Sequence, residues 1–489
     1  MQEAGKQEFI LKSGLEIHQQ LDSHKLFCNC PGILRKDKPD YEVERKLHII
    51  AGEGGEVDEA VMFEASKDKK FVYQGYYDNT CLVELDEEPP YEINQEALKI
   101  AVQISLLLNC EVLQDSQIMR KIVINGSNTS GFQRTVLLAR GGFLDTSFGK
   151  VAIDYVFLEE DSARPASSQE ESDPELENSV SYKLDRLGIP LVEIVTGIMH
   201  SAEQIKECAL KIGEILRVCK VRRGIGTIRQ DLNISINCNG DESERVEIKG
   251  FQDPKIMNLT VEKEVERQKK CLKDNSCKKE VRRSNPDGTT SFLRPMPGAA
   301  RMYPETDLPL LHIPRGLINE AKSSLPRMKH EIKAELSAEG LSEELVKLIL
   351  DENKVPDYKE LLGVYNNPNL IAKMLVLWKR EICSREKISE KDIGKRLTLD
   401  VLESILVLVR DKKIDESRAK SVMAEIAGGK DINSVLKLES IDNLEDEIIK
   451  LVREKPGLTA NAYMGLAMAR FKGRVSGKEV MEILNKIVK

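Results

Sequence analysis

The sequence lacks the features that mark membrane and secreted proteins. No apolar run in its 489 residues approaches the roughly 18 residues of a membrane-spanning helix. The N-terminal segment 1–12 has no basic stretch followed by an apolar stretch, which is the pattern of a secretory signal. We therefore expect a cytoplasmic protein that does not engage a membrane.

Three familiar catalytic motifs are absent as well. The chain has neither the G-x-x-x-x-G-K-[ST] phosphate-binding loop nor the G-x-S-x-G nucleophile elbow. It has no convincing G-x-G-x-x-G between a strand and a helix. A nucleotide site in this protein would therefore need a less familiar architecture.

The chain as a whole has no excess of positive charge. The formal net charge is −8, which argues against a protein that coats nucleic acid non-specifically. The C-terminal segment 449–489 is an exception, because it carries nine Lys and Arg against three Glu. This segment is either a solvated basic helix face or a surface that meets phosphate groups.

The ten cysteines do not suggest a disulfide framework. In a chain of this length without a secretory signal, they favour reduced thiols. Cys28 and Cys30 form a C-x-C pair and Cys81 lies further along, but no second close pair supplies a fourth zinc ligand. Buried or free thiols are therefore favoured over a zinc site.

Hydrophobic periodicity separates a mixed N-terminal part from a helical C-terminal part near residue 310. Alternation typical of strands occurs at 9–19, 121–124, 151–158, 189–195, 227–237 and 245–249. Helical spacing occurs at 95–109, 202–220, 261–272, 317–336, 342–351, 368–384 and 397–409. The acidic, Ser-rich stretch 167–178 is typical of a solvated loop. The pattern predicts an α+β protein.

Polar side chains recur on single faces of these strands, where residues i and i+2 lie on the same side. Glu16 and His18 share a face, and Glu193 lies within an otherwise apolar strand. Similar polar faces are formed by Arg229, Asp231, Asn233 and Ser235, and by Arg245, Glu247 and Lys249. By contrast, Val151, Ile153, Tyr155 and Phe157 are expected on one apolar side of their strand.

Two interpretations of the polar faces stay open at this point. An antiparallel sheet commonly has one solvated face, which accounts for most of them. A carboxylate such as Glu193 among apolar neighbours is costly to bury unless it is paired or bound to a metal. If the faces converge, carboxylates, an imidazole and cations would suit Mg²⁺ and substrate phosphates.

Short motifs along nearly the whole chain resemble the B/E subunits of tRNA-dependent amidotransferases. They are, in order, Gly14-Leu-Glu-Ile-His18 with Lys25-Leu-Phe-Cys28, Leu158-Glu-Glu-Asp161, Asp185-Arg-Leu-Gly-Ile-Pro-Leu-Val-Glu-Ile-Val195, Thr227-Ile-Arg-Gln-Asp-Leu-Asn-Ile-Ser235, Val246-Glu-Ile-Lys249 and Tyr303-Pro-Glu-Thr-Asp-Leu-Pro309. The segments 81–90 and 125–135 are similar to the archaeal E-type form rather than to the bacterial B-type form. Lys455-Pro-Gly-Leu458 and the residues up to Gly473 resemble the tail shared with YqeY-like proteins.

The resemblance implies a domain order and an activity. It implies a largely antiparallel, cradle-shaped domain at 1–312, a helical connector at 313–410 and a YqeY-like tail at 411–489 that reaches the tRNA. The implied enzyme is an ATP- and Mg²⁺-dependent carbon–nitrogen ligase of protein biosynthesis, which phosphorylates the γ-carboxylate of glutamate on tRNA(Gln). Ammonia released from glutamine or asparagine by an asparaginase-like amidase, the D-type partner, would then displace the phosphate, within a D2E2 heterotetramer.

The resemblance also assigns site residues. It implies that Glu16, His18, Glu159 and Glu193 are metal ligands and take part in catalysis, with Glu160 and Asp161 as neighbours. Lys249 is implied as a further catalytic residue. Arg229, Asp231, Asn233 and Glu247 are assigned to the nucleotide or the acyl phosphate.

The chain departs from the archaeal pattern at one place. Archaeal E-type proteins carry an inserted domain that resembles one in bacterial-type aspartyl-tRNA synthetases, before the segment that corresponds to 284–307. Here only the dozen residues 272–283 bridge that junction. A tRNA contact made by the insertion is therefore not expected in this chain.

Two other functions compete with this hypothesis. One is a B-type protein that acts on Glu-tRNA(Gln) or Asp-tRNA(Asn) with A-type and C-type partners. The other is a non-catalytic tRNA-binding protein that keeps the cradle as a scaffold, although the acidic residues and His18 argue for catalysis.

Overall fold

The computed structural model describes most of the chain as two compact units, Met1–Met328 and Lys329–Lys489. The described residues are 9–46, 55, 57, 59–123, 125–166, 179–251, 256–298, 302–430, 444–470 and 477–487. The predicted loop 167–178 and the last residue of the predicted strand 121–124 lie outside these residues. The predicted domain boundaries at 312 and 410 stay predictions.

The first unit contains the strands. In chain order they are β1 (Phe9–Gln20), β2 (Tyr41–Arg45), β3 (Lys70–Gly75), β4 (Glu111–Val112), β5 (Asp115–Ser116), β6 (Ile118–Ile122), β7 (Phe132–Thr146), β8 (Gly149–Glu160), β9 (Arg164–Pro165), β10 (Ser179–Lys183), β11 (Pro190–Thr196), β12 (Ile228–Cys238), β13 (Asp241–Glu242), β14 (Val246–Phe251), β15 (Glu280–Ser284), β16 (Thr290–Pro295), β17 (Met302–Pro304) and β18 (Leu311–His312). Its helices are α1 (Glu59–Ala65), α2 (Gln95–Leu107), α3 (Ala202–Val218), α4 (Met257–Lys273) and α5 (Arg315–Ser323).

A twelve-stranded sheet forms the body of this unit. Its main order is β16-β15-β14-β12-β1-β11-β8-β7-β6-β17, with β13 beside β12 and β4 beside β7. Neighbouring strands in it are antiparallel except for β14 and β15, which are parallel. Two smaller sheets have the orders β2-β3-β10-β9 and β18-β5. The α+β class with a largely antiparallel sheet is therefore confirmed.

The two faces of the large sheet have different partners. Leu15 and Ile17 of β1 belong to the main hydrophobic core, together with residues of α2, α3 and α4. Because side chains alternate along a strand, Glu16 and His18 lie on the opposite face. Helices thus cover one face of the sheet, and the polar residues of β1 belong to the other.

The described elements of the second unit are all helices, as the end of the strand pattern near residue 310 predicted. They are Lys329–Ala338, Glu343–Asp351, Val355–Val364, Pro368–Ala372, Trp378–Glu386, Glu390–Arg396, Leu399–Arg410, Glu416–Ala427, Leu444–Glu454, Ala460–Arg470 and Gly477–Ile487. A π-helical turn, Lys373–Leu377, joins the fourth and fifth of these helices. One hydrophobic cluster unites residues from Leu336 to Ala427, and a second unites residues from Ile448 to Leu484.

One predicted helix is divided in the structure. The pattern at 317–336 predicted a single helix, but α5 ends at Ser323 and the next helix begins at Lys329. Pro326 lies in the gap. Proline lacks a backbone N–H and disfavours the helical conformation of the residue before it. The helix is therefore interrupted here, although the apolar spacing in the sequence continues.

The expectation of reduced thiols throughout is wrong for two cysteines. Cys271, near the end of α4, is bonded to Cys277, and the Cα atoms are 5.1 Å apart. The helix ends at Lys273 and a short turn brings the two residues together. Loop geometry rather than cysteine count decides this pairing, and none of the other eight cysteines forms a disulfide.

None of the helices in the described part of the chain is long and apolar enough to span a membrane.

Candidate active site

The register of three central strands brings together residues that are far apart in sequence. His18 of β1 lies directly opposite Glu193 of β11 and, on its other side, opposite Arg229 of β12. His18 Nε2 is 3.3 Å from Glu193 Oε2 and 3.5 Å from Glu159 Oε1 of β8. Directly opposite residues share a face of an antiparallel sheet, so the polar faces predicted from the sequence do converge.

Glu159 reaches this face because of an irregularity in β8. Val195 and Thr196 of β11 pair with Tyr155 and Ile153, so β8 carries one extra residue at this point. Such a bulge reverses the alternation of side chains along the strand.

The prediction of one apolar side along this strand is wrong for the same reason. Val151 and Ile153 are buried in the core, whereas Tyr155 is 45% exposed and Phe157 is half-buried. Without the bulge, Glu159 would share the face of Val151 and Ile153 and would point into the core.

Lys121 of β6 bridges the two acids that face His18. Its Nζ lies 2.9 Å from Glu159 Oε2 and 3.2 Å from Glu193 Oε2. Sequence reasoning did not identify this residue, although it lies in the predicted strand 121–124. A single lysine in a short strand carries no signal that it will meet acids 38 and 72 residues further on.

A second acidic group lies beside the first. Glu16 is opposite Asp231, and Glu247 is opposite Asn233 on the next strand pair. The carboxylate oxygens of Glu16, Asp231 and Glu247 lie within 4.8 Å of one another, as do the ligand atoms of His18, Glu159 and Glu193. The four predicted metal ligands therefore lie in one cleft but in two groups, since Glu16 is grouped with Asp231 and Glu247.

Cations and amides hold this second group in place. Lys249 Nζ is 2.9 Å from Asp231 Oδ2 and also contacts Glu247. Asn233 Nδ2 donates a hydrogen bond of 2.7 Å to Glu16 Oε1. The carboxylates raise the pKa of Lys249 although burial opposes this, so the lysine is held as an ammonium.

Glu160 and Asp161, at the end of β8 and just after it, contact different partners. The carboxylate of the buried Asp161 accepts hydrogen bonds from Gln20 and from Arg229, at 2.7 and 2.9 Å. Arg186 Nε lies 3.7 Å from the same carboxylate. Glu160 instead accepts a hydrogen bond from the backbone N–H of Arg134. Neither Glu160 nor Asp161 belongs to the two acidic groups of the cleft.

An open cleft of about 740 Å³ unites these residues. All nine predicted site residues line it: Glu16, His18, Glu159, Glu193, Arg229, Asp231, Asn233, Glu247 and Lys249. Residues that sequence reasoning did not assign also line it, notably Lys121, Gln133, Arg186, Arg245 and Arg294. Arg245 was recognised as part of a polar face, but its position gave no reason to assign it a role.

Burial and charge push the ionisation of the two neighbouring glutamates apart. Burial raises the pKa of Glu159, and the carboxylate of Glu193 adds to this effect. Burial also acts on Glu193, but Lys121 and His18 hold the pKa of that carboxyl well below its usual range. Burial lowers the pKa of His18, but its hydrogen bond to Glu193 and the nearby negative charges outweigh this and raise it. Neighbouring groups with such different ionisation are typical of functional sites.

A separate cluster forms around the C-x-C pair. The Sγ atoms of Cys28, Cys30 and Cys81 and a carboxylate oxygen of Glu84 lie within 4.8 Å of one another. Cys28 Sγ donates to Glu84 Oε1 at 2.9 Å, and the fully buried Lys25 contacts the same oxygen at 3.0 Å. The sequence has no second cysteine pair to supply a fourth metal ligand. In the structure Glu84, three residues after Cys81, is in the position of that fourth ligand.

Comparison with known proteins connects this fold to one family. The profile described as "GatB/GatE catalytic domain" matches residues 11–319, which is more than half of the chain. The chain belongs to the GatB/GatE family. The match covers nearly all of the large sheet and every residue that lines the cleft.

Full-length relatives of the GatB/GatE family have the same name in several archaea. A protein of Methanocaldococcus jannaschii, named as the E subunit of glutamyl-tRNA(Gln) amidotransferase, is 35% identical over 98% of each chain. Proteins of the same name from Archaeoglobus fulgidus and Saccharolobus solfataricus are 33% and 31% identical, over at least 98% of each chain.

The alignment with the Methanocaldococcus jannaschii protein runs over 638 positions, whereas this chain has 489 residues. Much of the relative's sequence therefore has no counterpart here. This difference agrees with the absence of an inserted domain.

Proposed function

We propose that this chain is the ATP-using component of a glutamyl-tRNA(Gln) amidotransferase, and that the cleft activates a glutamate carried by tRNA(Gln). The observation that supports this most directly is the convergence of His18, Glu159 and Glu193 beside a second acidic group. Full-length relatives named as the E subunit of this enzyme support the choice of substrate. The reaction would transfer the γ-phosphoryl group of ATP to the glutamate side chain, and ammonia would then displace phosphate.

The donor atoms of the cleft fit the divalent cation that such a reaction requires. Mg²⁺ takes oxygen ligands and is commonly held by one or two carboxylates together with substrate phosphates. Glu159 and Glu193 offer one set of oxygen donors, with the imidazole nitrogen of His18 beside them, and Glu16, Asp231 and Glu247 offer another. When bound, Mg²⁺ would neutralise negative charge on the phosphates of ATP.

The protein's own residues would position the reactants and balance charge. Lys249 and Arg229 bring cations to the cleft wall, where they would stabilise negative charge on the transferring phosphoryl group. Both are already held by carboxylates, Lys249 by Asp231 and Arg229 by Asp161. Fixed cations of this kind need little rearrangement when the charge develops.

The second half of the reaction requires ammonia. A carboxylate is a poor acceptor for ammonia, whereas an acyl phosphate carries a good leaving group. In the proposed enzyme the ammonia comes from an asparaginase-like amidase, the D-type partner, which acts on glutamine or asparagine within a D2E2 heterotetramer. Co-purification with an amidase of a different type, alongside a C-type partner, would instead favour a B-type enzyme.

The activating reaction can be tested without the partner. We expect the purified chain, incubated with Glu-tRNA(Gln), ATP, Mg²⁺ and an ammonium salt, to form Gln-tRNA(Gln) and ADP. Omitting ammonium should leave ATP-dependent phosphorylation of the glutamate. A chain that binds Glu-tRNA(Gln) but forms neither product would be a non-catalytic tRNA-binding protein.

A further inference from the structure

The cleft is lined by six cationic side chains, and they differ in what they contact. They are Lys121, Arg186, Arg229, Arg245, Lys249 and Arg294. Lys121 and Lys249 each lie between two carboxylates, and Arg186 and Arg229 both contact Asp161. Four of the six cations therefore already contact a carboxylate.

Arg245 and Arg294 differ from the other four. Within the part of the chain that the structure describes, neither guanidinium lies within ion-pair distance of a carboxylate. Arg245 Nη2 donates to the thioether Sδ of Met296 at 3.2 Å, which is a weak acceptor. Both residues nevertheless line the cleft.

The positions of these two arginines are set by the strands at one edge of the sheet. Arg245 immediately precedes β14 and shares the face of Glu247 and Lys249 by alternation. Arg294 belongs to β16, two strands further toward the edge, and is half-buried. The two cations therefore lie on the side of the cleft formed by β14 and β16, beside the group that contains Glu247.

An exposed arginine is common and needs no special explanation. Arg283 of β15 is an example, because it is exposed on the strand between β14 and β16 and does not line the cleft. Arg245 and Arg294 are different because they line a concave surface and, unlike the other four cations there, have no carboxylate partner among the described residues. Arginine presents a planar fork of donors that matches two oxygens of a phosphate group.

We infer that Arg245 and Arg294 bind a phosphate group of the substrate at the β14–β16 side of the cleft. This inference rests on the proposed function and adds two binding residues to it. The phosphate belongs either to the polyphosphate chain of ATP or to the backbone at the acceptor end of the tRNA. Both sources present the same chemistry to a guanidinium.

Three matched variants of the full-length chain test the inference: Arg245→Ala, Arg294→Ala and, as the control, Arg283→Ala. The measurements are calorimetric binding of inorganic tripolyphosphate and of ATP with Mg²⁺, and anisotropy of labelled tRNA(Gln). Losing a hydrogen bond to a charged group should weaken binding of the relevant probe about tenfold or more. Arg283→Ala should leave all three affinities within about twofold of the wild type, because its side chain lies outside the cleft.

The pattern of loss identifies the source of the phosphate. Weaker binding of ATP and tripolyphosphate with unchanged tRNA binding assigns the two arginines to the nucleotide. Weaker tRNA binding with a flatter salt dependence, and unchanged ATP binding, assigns them to the nucleic acid backbone. If neither cleft variant weakens any probe more than Arg283→Ala does, the inference is wrong.

These outcomes are separable from failure of the proposed function. If the two arginines contribute to binding of ATP or tRNA but the wild-type chain forms no ADP, the phosphate site is supported and the proposed function is wrong. If the wild-type chain forms Gln-tRNA(Gln) but both cleft variants bind the probes like the control, the proposed function is supported and the phosphate site is wrong.

Discussion

His18 and Glu193 lie directly opposite each other on neighbouring antiparallel strands, with Nε2 and Oε2 3.3 Å apart. The two residues are 175 positions apart in sequence, and only the register of β1 with β11 brings them together. A shift of one residue in this pairing would turn His18 toward the core and remove it from the cleft. The candidate site therefore depends on strand register as much as on residue identity.

Replacing Glu193 should abolish the activating reaction. We expect Glu193→Gln to lower ATP-dependent phosphorylation of Glu-tRNA(Gln) at least a hundredfold, because a neutral amide is a poor cation ligand and cannot balance Lys121 and His18. The affinity for tRNA should change little. The measurement is single-turnover formation of ADP with radiolabelled ATP.

Glu242→Gln serves as the matched control for this variant. Glu242 lies on the same sheet in β13 and contacts Lys12 outside the cleft. It should retain wild-type turnover. Undiminished turnover in Glu193→Gln would remove Glu193 from the proposed metal site.

Replacing Lys121 should change how the protein responds to Mg²⁺. Lys121→Met removes the ammonium between Glu159 and Glu193 and leaves two neighbouring carboxylates without that cation. We expect the melting temperature without Mg²⁺ to fall by a few degrees, and added Mg²⁺ to raise it more than in the wild type. Differential scanning fluorimetry over a Mg²⁺ series measures both effects, and an equal Mg²⁺ response in the two proteins would contradict a metal between these acids.

The buried carboxylate of Glu305 should stabilise the first unit in a pH-dependent way. It accepts hydrogen bonds from Arg134 at 2.7 Å and Arg120 at 2.5 Å. Burial raises the pKa of Glu305, but the hydrogen bond from Arg120, the backbone N–H of Asp307 and the charge of Arg134 outweigh this and lower it. Its contribution is therefore present above the ordinary glutamate pKa and is lost as the pH falls through the lowered one.

Glu305→Gln should accordingly lower the free energy of unfolding by about 3 kcal/mol at neutral pH, since it leaves two arginines without their buried carboxylate. The difference from the wild type should shrink below about pH 4. Urea unfolding at pH 7 and at about pH 3 measures it, with Glu111→Gln as the control because Glu111 is exposed. A difference that does not depend on pH would contradict this explanation.

Removing the C-terminal helices should weaken tRNA binding. The segment 449–489 has six more basic than acidic residues, and its helices form a hydrophobic cluster of their own. We expect deletion of 449–489 to lower affinity for tRNA(Gln) and to flatten the dependence of affinity on salt, because fewer phosphates are neutralised. An unchanged salt dependence would mean that the basic face is only solvated.

Metal analysis can distinguish a zinc site from free thiols at the cysteine cluster. Three thiols and Glu84 provide the four donors that a tetrahedral zinc site requires. We expect about one zinc per chain in protein purified without chelators, and much less in Cys30→Ser. Cys238→Ser is the control, since Cys238 is free and lies outside the cluster. Metal-free protein whose cluster cysteines react fully with a thiol reagent would favour the free-thiol alternative.

Much of the fold could be predicted from local patterns. The strands containing Glu16, Glu193 and Asp231 were predicted to within two residues, because alternation of apolar and polar side chains was regular there. The long strand β7 was missed, since Gly141 and Gly142 interrupt its pattern. Strands β15 and β16 were missed as well, because their mostly polar or half-buried residues do not alternate clearly.

The site was only partly predictable, for a different reason. A polar face of a strand can be recognised locally, but its partners cannot. Lys121 was not identified because its contacts depend on the strand order β11-β8-β7-β6, which places β6 near two strands that are distant in sequence. Glu84 was not identified as a possible zinc ligand because a single glutamate carries no spacing signal.

The amino-acid sequence by itself determined which faces of the strands are polar, where the helical part begins, and which family motifs are present. These properties follow from side-chain periodicity and residue identity, which act over a few neighbouring positions. Only the tertiary structure decided that a bulge in β8 turns Glu159 into the cleft, that Glu16 is grouped with Asp231 and Glu247, and that Arg245 and Arg294 lack an acidic partner among the described residues. Those relationships depend on strand register and order, which are set by packing between distant segments.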